Sequence, residues 1–188
     1  HAPYMINIAN PGGNNYAIKC LSRTLDIAAA AGFKGVVVHT PHSDVKGTPL
    51  KRPLQSTIEF LAEVLKHATP ECPLLLETPA HQGTEMLWEV ERFLGFVERM
   101  CAFEPEFAER LGICIDTCHV WAAGYDPHDY IAATLRSPVA SRLKLVHFND
   151  SEVDKGARKD RHRFMGTGKI GLRAMFECAK TLSNRNVD

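Results

Sequence analysis

Four apolar runs in this chain end on a residue that can bind a metal ion. Val36-Val37-Val38 ends at His39, Leu74-Leu75-Leu76 at Glu77, Gly112-Ile113-Cys114-Ile115 at Asp116, and Leu143-Lys144-Leu145-Val146 at His147. His119 follows Asp116 by three residues, and Asp160 and His162 flank Arg161. In an extended loop, residues two apart point the same way, so Asp160 and His162 can share one ion while Arg161 points elsewhere. Imidazole and carboxylate donors without thiolate suit zinc in a catalytic setting, with manganese or iron as alternatives. A carboxylate such as Glu77 can bridge two ions. A bridged pair stabilises both the attacking and the leaving oxygen of a phosphoryl centre. Each residue alone has a plainer reading. A strand-end His is commonly a hydrogen-bonded rim residue, and an Asp after a strand commonly caps a helix. Four strand ends and two short-spaced pairs together favour the ligand reading.

The elements that must position these residues alternate. The apolar spacing predicts helices over 14–31, with Gly32 as a stop, over 54–68, over 84–101 with Thr84 as N-cap, over 129–136 and over 171–183. Strands are expected over 35–39, 73–77, 111–116 and 143–147. Residues 40–52, the segment through Gly124 and the basic stretch up to Gly168 read as loops. This is a βα series with parallel-strand character, in one domain over 1–188 and with the polar candidates after the strands. A doubly wound sheet and a TIM barrel both give this order. A ligand type at every strand end favours the TIM (β/α)8 barrel, whose active sites lie at the strand C-termini.

Composition narrows the class. The 188 residues are 45% hydrophobic and 23% charged with zero formal net charge, so overall charge gives no argument for a nucleic-acid partner. Charge is uneven, however: Lys155, Arg158, Lys159, Arg161, Arg163, Lys169 and Arg173 face a single acid, Asp160, between 155 and 173. That strip is either a phosphate-contacting surface or a solvated loop. Six cysteines without a C-x-x-C pair fit a reduced intracellular protein better than a disulfide scaffold. No apolar run approaches the roughly 20 residues of a membrane span. The chain opens His1-Ala2-Pro3 without Met, so processing or truncation is expected.

Three longer motifs carry a family resemblance. They are Glu77-Thr78-Pro79-Ala80-His81-Gln82-Gly83, the block from Asp116-Thr117-Cys118-His119 through Gly124-Tyr125-Asp126, and His147-Phe148-Asn149-Asp150-Ser151 followed by Asp160-Arg161-His162 and Gly166-Thr167-Gly168-Lys169-Ile170-Gly171. Through them the chain resembles the endonuclease IV family of apurinic/apyrimidinic (AP) endonucleases, over essentially its whole length. The resemblance implies a TIM barrel with three zinc ions. The first would take His1, His39 and Glu77. The second would share Glu77 and take Asp116 and His147. The third would take His119, Asp160 and His162. It implies hydrolysis of the phosphodiester 5′ to an abasic site in double-stranded DNA, in base-excision repair, with Glu77 as catalytic carboxylate. Tyr4 and Met5 would probe the DNA gap, and Asn149, Arg161 and Lys169 would contact phosphate. The competing readings are a metal-dependent sugar isomerase on a related barrel and an inactive DNA-binding remnant.

Two departures from the family stand out. His81 occupies a position where the family usually has glycine. The family barrel also has eight strands and a ninth ligand, a Glu, on the last one, whereas this chain shows four complete strands and reads as part of such a barrel. Family members are usually monomeric. Four strands cannot close a barrel, so inward residues expected at Val37, Leu75, Ile115 and Val146 would need a partner surface, and self-association is expected. The expected location is intracellular: cytoplasm or nucleoid, or nucleus or mitochondrion in a eukaryote.

Overall fold

A computed structural model describes residues 1–3, 6–9, 14–43, 51–183, 185, 187 and 188. Four parallel strands form the sheet: β1 (Val36–His39), β2 (Leu74–Glu77), β3 (Leu111–Asp116) and β4 (Leu143–His147), in the order β1-β2-β3-β4. Sequential order with parallel pairing is the barrel arrangement, each crossover passing over the same side of the sheet. The helices of that side include α1 (Asn14–Ala30), α2 (Lys51–Val64), α3 (Val90–Phe103) and α4 (Pro105–Arg110). After β3 come α5 (Thr117–Ala122) and α6 (Pro127–Arg136). A small hairpin of β5 (Asp150–Ser151) and β6 (His162–Arg163) follows β4, and α7 (Leu172–Leu182) packs beside α6. No described helix is long and apolar enough to cross a membrane.

Period-two alternation divides the strand residues between two faces. Val36, Val38, Leu74, Leu76, Ile113, Ile115 and Val146 join the large core under the helices. Val37, Leu75 and Cys114, with Leu145 against them, form a separate small cluster on the other face. That face is the inner wall of the sheet. His39, Glu77, Asp116 and His147 lie two residues beyond Val37, Leu75, Cys114 and Leu145, so all four fall on it. The expectation of Ile115 and Val146 as inward residues is therefore corrected. If Asp116 and His147 point inward, their neighbours must point to the helices.

Register sets the rows. His39 pairs with Glu77, and Glu77 pairs with Cys114. A bulge between Ile113 and Cys114 lets Asp116 pair with His147 one row further out. Gly112, inward on β3, has no room for a side chain: a Cβ would lie 2.5 Å from Leu75 Cδ2.

Local chemistry explains most element ends. Gly32, at φ 75°, stops α1, with Gly32 N–H on Ala29 O and Phe33 N–H on Ala28 O, the paired bonds of a Schellman motif. Helix α3 does not begin at Thr84 but at Val90. The backbone of 82–86 is engaged elsewhere: Gln82 N–H donates to the Glu85 carboxylate at 2.7 Å, Met86 N–H to Pro41 O, and Ser43 N–H to Thr84 O. These bonds tie the loop after β2 to the loop after β1 and delay the helix. The loop expected after Asp116 is instead the short helix α5, because the Asp116 side chain accepts His119 N–H at 3.0 Å as its N-cap.

Candidate functional site

Glu77, at the end of β2, is the hub of the rim. Its side chain is 2% exposed. Oε2 meets His1 Nε2 at 2.9 Å and His39 Nδ1 at 3.2 Å, while Oε1 accepts from His147 Nδ1 at 2.7 Å. His39 arrives on the neighbouring strand β1, and His147 on β4, two strands away across β3. His1 arrives because Ala2 N–H bonds Val37 O at 2.7 Å, laying the N-terminal residues along β1. Burial opposes the charge on Glu77. The His1 and His147 hydrogen bonds and the nearby His119 and His39 outweigh it and hold the carboxyl far below its ordinary range. The hydrogen bond to Glu77 likewise raises His1, whereas burial lowers His39.

Asp116 and Asp160 form a second focus. Asp116 divides its oxygens, Oδ1 capping α5 and Oδ2 accepting Asn149 Nδ2 at 2.7 Å. Oδ2 also lies 3.7 Å from His147 Nδ1 and 3.6 Å from His162 Nε2. Asp160 places Oδ2 3.3 Å from His119 Nε2 and Oδ1 3.0 Å from His162 Nε2. The His119 and His162 rings facing its oxygens hold Asp160 far below its ordinary range, against the opposing effect of burial. Hairpin β5–β6 returns His162 to the rim, and Gln82 Oε1 accepts Asp160 N–H at 3.2 Å from across the β2 loop.

His119 shows what the cluster accommodates. Its side chain is 4% exposed, and Nδ1 bonds Thr78 O at 2.9 Å. A carbonyl cannot donate, so Nδ1 carries the proton and the neutral ring turns its Nε2 lone pair toward the carboxylates. That nitrogen is buried without a hydrogen-bond partner of good geometry. A lone pair facing a carboxylate oxygen at 3.3 Å calls for a cation between them, either a proton or a metal ion. In the ion-free protein the proton is favoured. Burial opposes it, but Asp160, Asp116 and Glu77 prevail and push His119 up to about 10.

Potential donor atoms fall into groups within 4.8 Å of one another: His1, His39 and Glu77; Glu77, Cys114 and His147; Asp116, His119 and His162; Cys118, Asp160 and His162. The eight candidate ligands thus converge, and the first group coincides with the first implied set. The two thiols are additions that the sequence reading did not make. Cys114 and Cys118 lie two residues either side of Asp116, and that spacing was the available signal. Burial leads in pushing both up, Cys118 to about 11, so they stand as thiols at neutral pH.

The DNA-contact candidates divide. Asn149 is at the rim, but its amide nitrogen is committed to Asp116. Arg161 is exposed beside Asp160, whose carbonyl it bonds at 2.6 Å. Lys169 is exposed and sits 3.5 Å from Asp154. Tyr4 and Met5 lie outside the described residues. His67 pairs with Asp26 and His128 with Thr181, away from the cluster.

A family model described as a xylose isomerase-like TIM barrel matches residues 1–183. The probable endonuclease 4 of Staphylococcus epidermidis is 36% identical over 182 residues, covering 93% of this chain and 59% of the relative. That of Symbiobacterium thermophilum is 36% identical over 177 residues, covering 91% and 62%. The chain therefore spans about three-fifths of the length of these curated relatives. Endonuclease IV from Thermus thermophilus superposes with a TM-score of 0.79 at 28% identity, over 98% of this chain and 65% of that one. A D-tagatose 3-epimerase-like protein reaches a TM-score of 0.80 at 20% identity, over 100% and 67%, a likeness of fold alone.

Proposed function

The chain belongs to the xylose isomerase-like TIM barrel family, in its endonuclease IV group, and on that premise we propose that it is a zinc-dependent endonuclease cutting DNA on the 5′ side of abasic sites and leaving a 3′-hydroxyl. The observation that carries this reading is the double focus. Glu77 gathers three imidazoles and Asp160 two more, with Asp116 between them. That is more ligand capacity than the one or two ions of a sugar isomerase require.

The residues fit zinc by donor chemistry and by the unpartnered His119 Nε2. His1, His39 and Glu77 would hold one ion; Glu77, Asp116 and His147 a second; His119, Asp160 and His162 a third. When bound, zinc supplies a Lewis acid for the phosphoryl oxygens and brings the pKa of a coordinated water to about 7. The protein contributes position. Asn149 fixes Asp116 Oδ2, and Thr78 fixes the His119 tautomer. Glu77 turns Oε2 to His1 and His39 and Oε1 to His147, so it would serve both of the first two ion sites and orient them relative to each other. Arg161 and Lys169 would meet phosphates at the exposed edge, and the substrate would be damaged double-stranded DNA in the cytoplasm or nucleoid.

The test is nicking of a duplex carrying one tetrahydrofuran abasic analogue, beside elemental analysis of the purified protein. Zinc together with a nick that leaves a polymerase-extendable 3′ end is the expected result. Epimerisation of a ketose without nicking would move the assignment to the sugar-isomerase side of the family. Duplex binding without zinc or nicking would make it a DNA-binding remnant.

A further inference from the structure

His81 departs from the family glycine and has no task in the reaction above. Its φ of 60° lies in the left-handed region that favours glycine, so a side chain is kept there against backbone preference. The ring lies flat on Trp88, with centroids 3.9 Å apart and planes 6° from parallel. Both residues are half-buried. Leu87, the neighbour of Trp88, is also left-handed at φ 64°, so two bends bring indole and imidazole together.

The place of this pair matters. Gln82, the residue after His81, accepts Asp160 N–H, so the stack adjoins the loop that carries Asp160 and His162. Arg158 stands on that loop with an exposed side chain, held by its N–H on Ala122 O at 2.9 Å. Burial first, and then the Arg158 charge, keep His81 below its ordinary value and hence neutral at pH 7. A neutral heteroaromatic ring backed by indole, beside a guanidinium, has the chemistry that stacks a nucleobase and neutralises its phosphate.

We propose that His81 and Trp88 form a stacking platform for an unstacked nucleotide of the bound DNA, with Arg158 on its phosphate, and that the platform strengthens binding of damaged over intact duplex. This rests on the abasic-site reading above. A duplex with a missing base offers an unstacked neighbour, whereas an intact duplex does not.

Binding is measured by fluorescence anisotropy on a tetrahydrofuran-containing duplex and on its intact counterpart, without metal-dependent turnover. His81→Gly is expected to weaken abasic-duplex binding roughly tenfold, the size of one lost base-stacking contact, with intact-duplex binding within about twofold of wild type. It should do so without lowering the melting temperature, since glycine suits the backbone. His81→Phe should keep the wild-type affinity, and tryptophan emission should be quenched by the abasic duplex in wild type but much less in Trp88→Phe. Wild-type affinity in His81→Gly overturns the platform, as does equal loss in His81→Gly and His81→Phe. A wild-type protein with no preference for the abasic duplex overturns the abasic-site reading, and the platform with it.

Discussion

Asp150 and Glu77 are both buried carboxylates at the same end of the sheet, and their partners are of opposite kinds. Asp150 accepts backbone N–H groups from Ser151 at 2.8 Å, Gly166 at 3.0 Å, Gly168 at 2.9 Å and Ile170 at 2.9 Å, with Gly171 at 3.3 Å. The run Gly166-Thr167-Gly168-Lys169-Ile170-Gly171 looks like a phosphate cradle, but it wraps a carboxylate of its own chain. A Cβ on Gly168 would lie 2.3 Å from Ser151 O, so only glycine lets the loop close. Glu77 takes imidazoles instead. Peptide N–H donors are fixed and cannot be exchanged, whereas a ring can lose its proton to solvent and offer the freed lone pair to a metal ion. The kind of donor thus separates a carboxylate that holds a loop from one that can hold an ion.

The sharpest way to break the comparison is reciprocal substitution. Glu77→Ala is expected to lower abasic-site cleavage by about 10³-fold or more, in line with several kcal/mol of lost transition-state stabilisation. Zinc content should fall, and the ion-free protein should lose the stability of the carboxylate–imidazole contacts. Asp150→Ala should cost stability without removing a proposed zinc ligand. Several buried N–H groups lose their acceptor, at a cost of about 3–5 kcal/mol. Denaturant unfolding and a nicking assay on both variants check this. Wild-type stability in Asp150→Ala, or an active Glu77→Ala, would erase the distinction.

The pH dependence sharpens it. Asp150, Glu77 and Asp160 are all held below their ordinary values, Asp150 by the backbone bonds that outweigh its burial. Each contributes stability that is present above the ordinary carboxylate pKa and lost as pH falls toward the folded value. His119, His162 and His1 are raised, so their contribution is full below 6.5 and lost as pH rises, through about 10 for His119. The ion-free protein should therefore lose stability between pH 7 and 10 by a limb that belongs to the imidazoles and has no counterpart at Asp150. His119→Asn should flatten that limb in urea titrations. Zinc uptake at pH 7 should release protons, readable by calorimetry in buffers of different ionisation enthalpy. Uptake without proton release would contradict the protonated cluster.

Smaller effects lie on the surface. Arg161→Ala should reduce the slope of log K against log[salt] for DNA by about 0.9, and Lys169→Ala by less, because Asp154 already neutralises part of its charge. An unchanged slope in Arg161→Ala would turn the strip away from DNA. His67→Ala removes only an exposed pair with Asp26, so stability should change by less than about 1 kcal/mol and cleavage should stay at wild-type level.

Local pattern was enough to find the four strand ends and their ligand types, because an apolar run that stops at a charged or titratable group marks where a buried strand leaves the sheet. It was enough for Gly32, whose positive φ is a property of one residue. Strand ends and spacing also marked seven of the eight candidate ligands and favoured the barrel, while the family resemblance added His1 and the division into three ion sets. The start of α3 was not legible, because hydrogen bonds from Met86 to Pro41 and from Ser43 to Thr84 cross between two loops distant in sequence. Nor was the role of Asn149, whose partner Asp116 is 33 residues away.

By itself the sequence determined which residues could bind metal, and that parallel strands would present them at one rim. Only the tertiary structure decided how they divide. It set Glu77 against three rings, capped α5 with one oxygen of Asp116, folded the glycine loop around Asp150, and laid His81 on Trp88. Residue type and spacing specify what a side chain can do, but its partner depends on register, bulges and loop closure, which bring together groups that the chain keeps far apart.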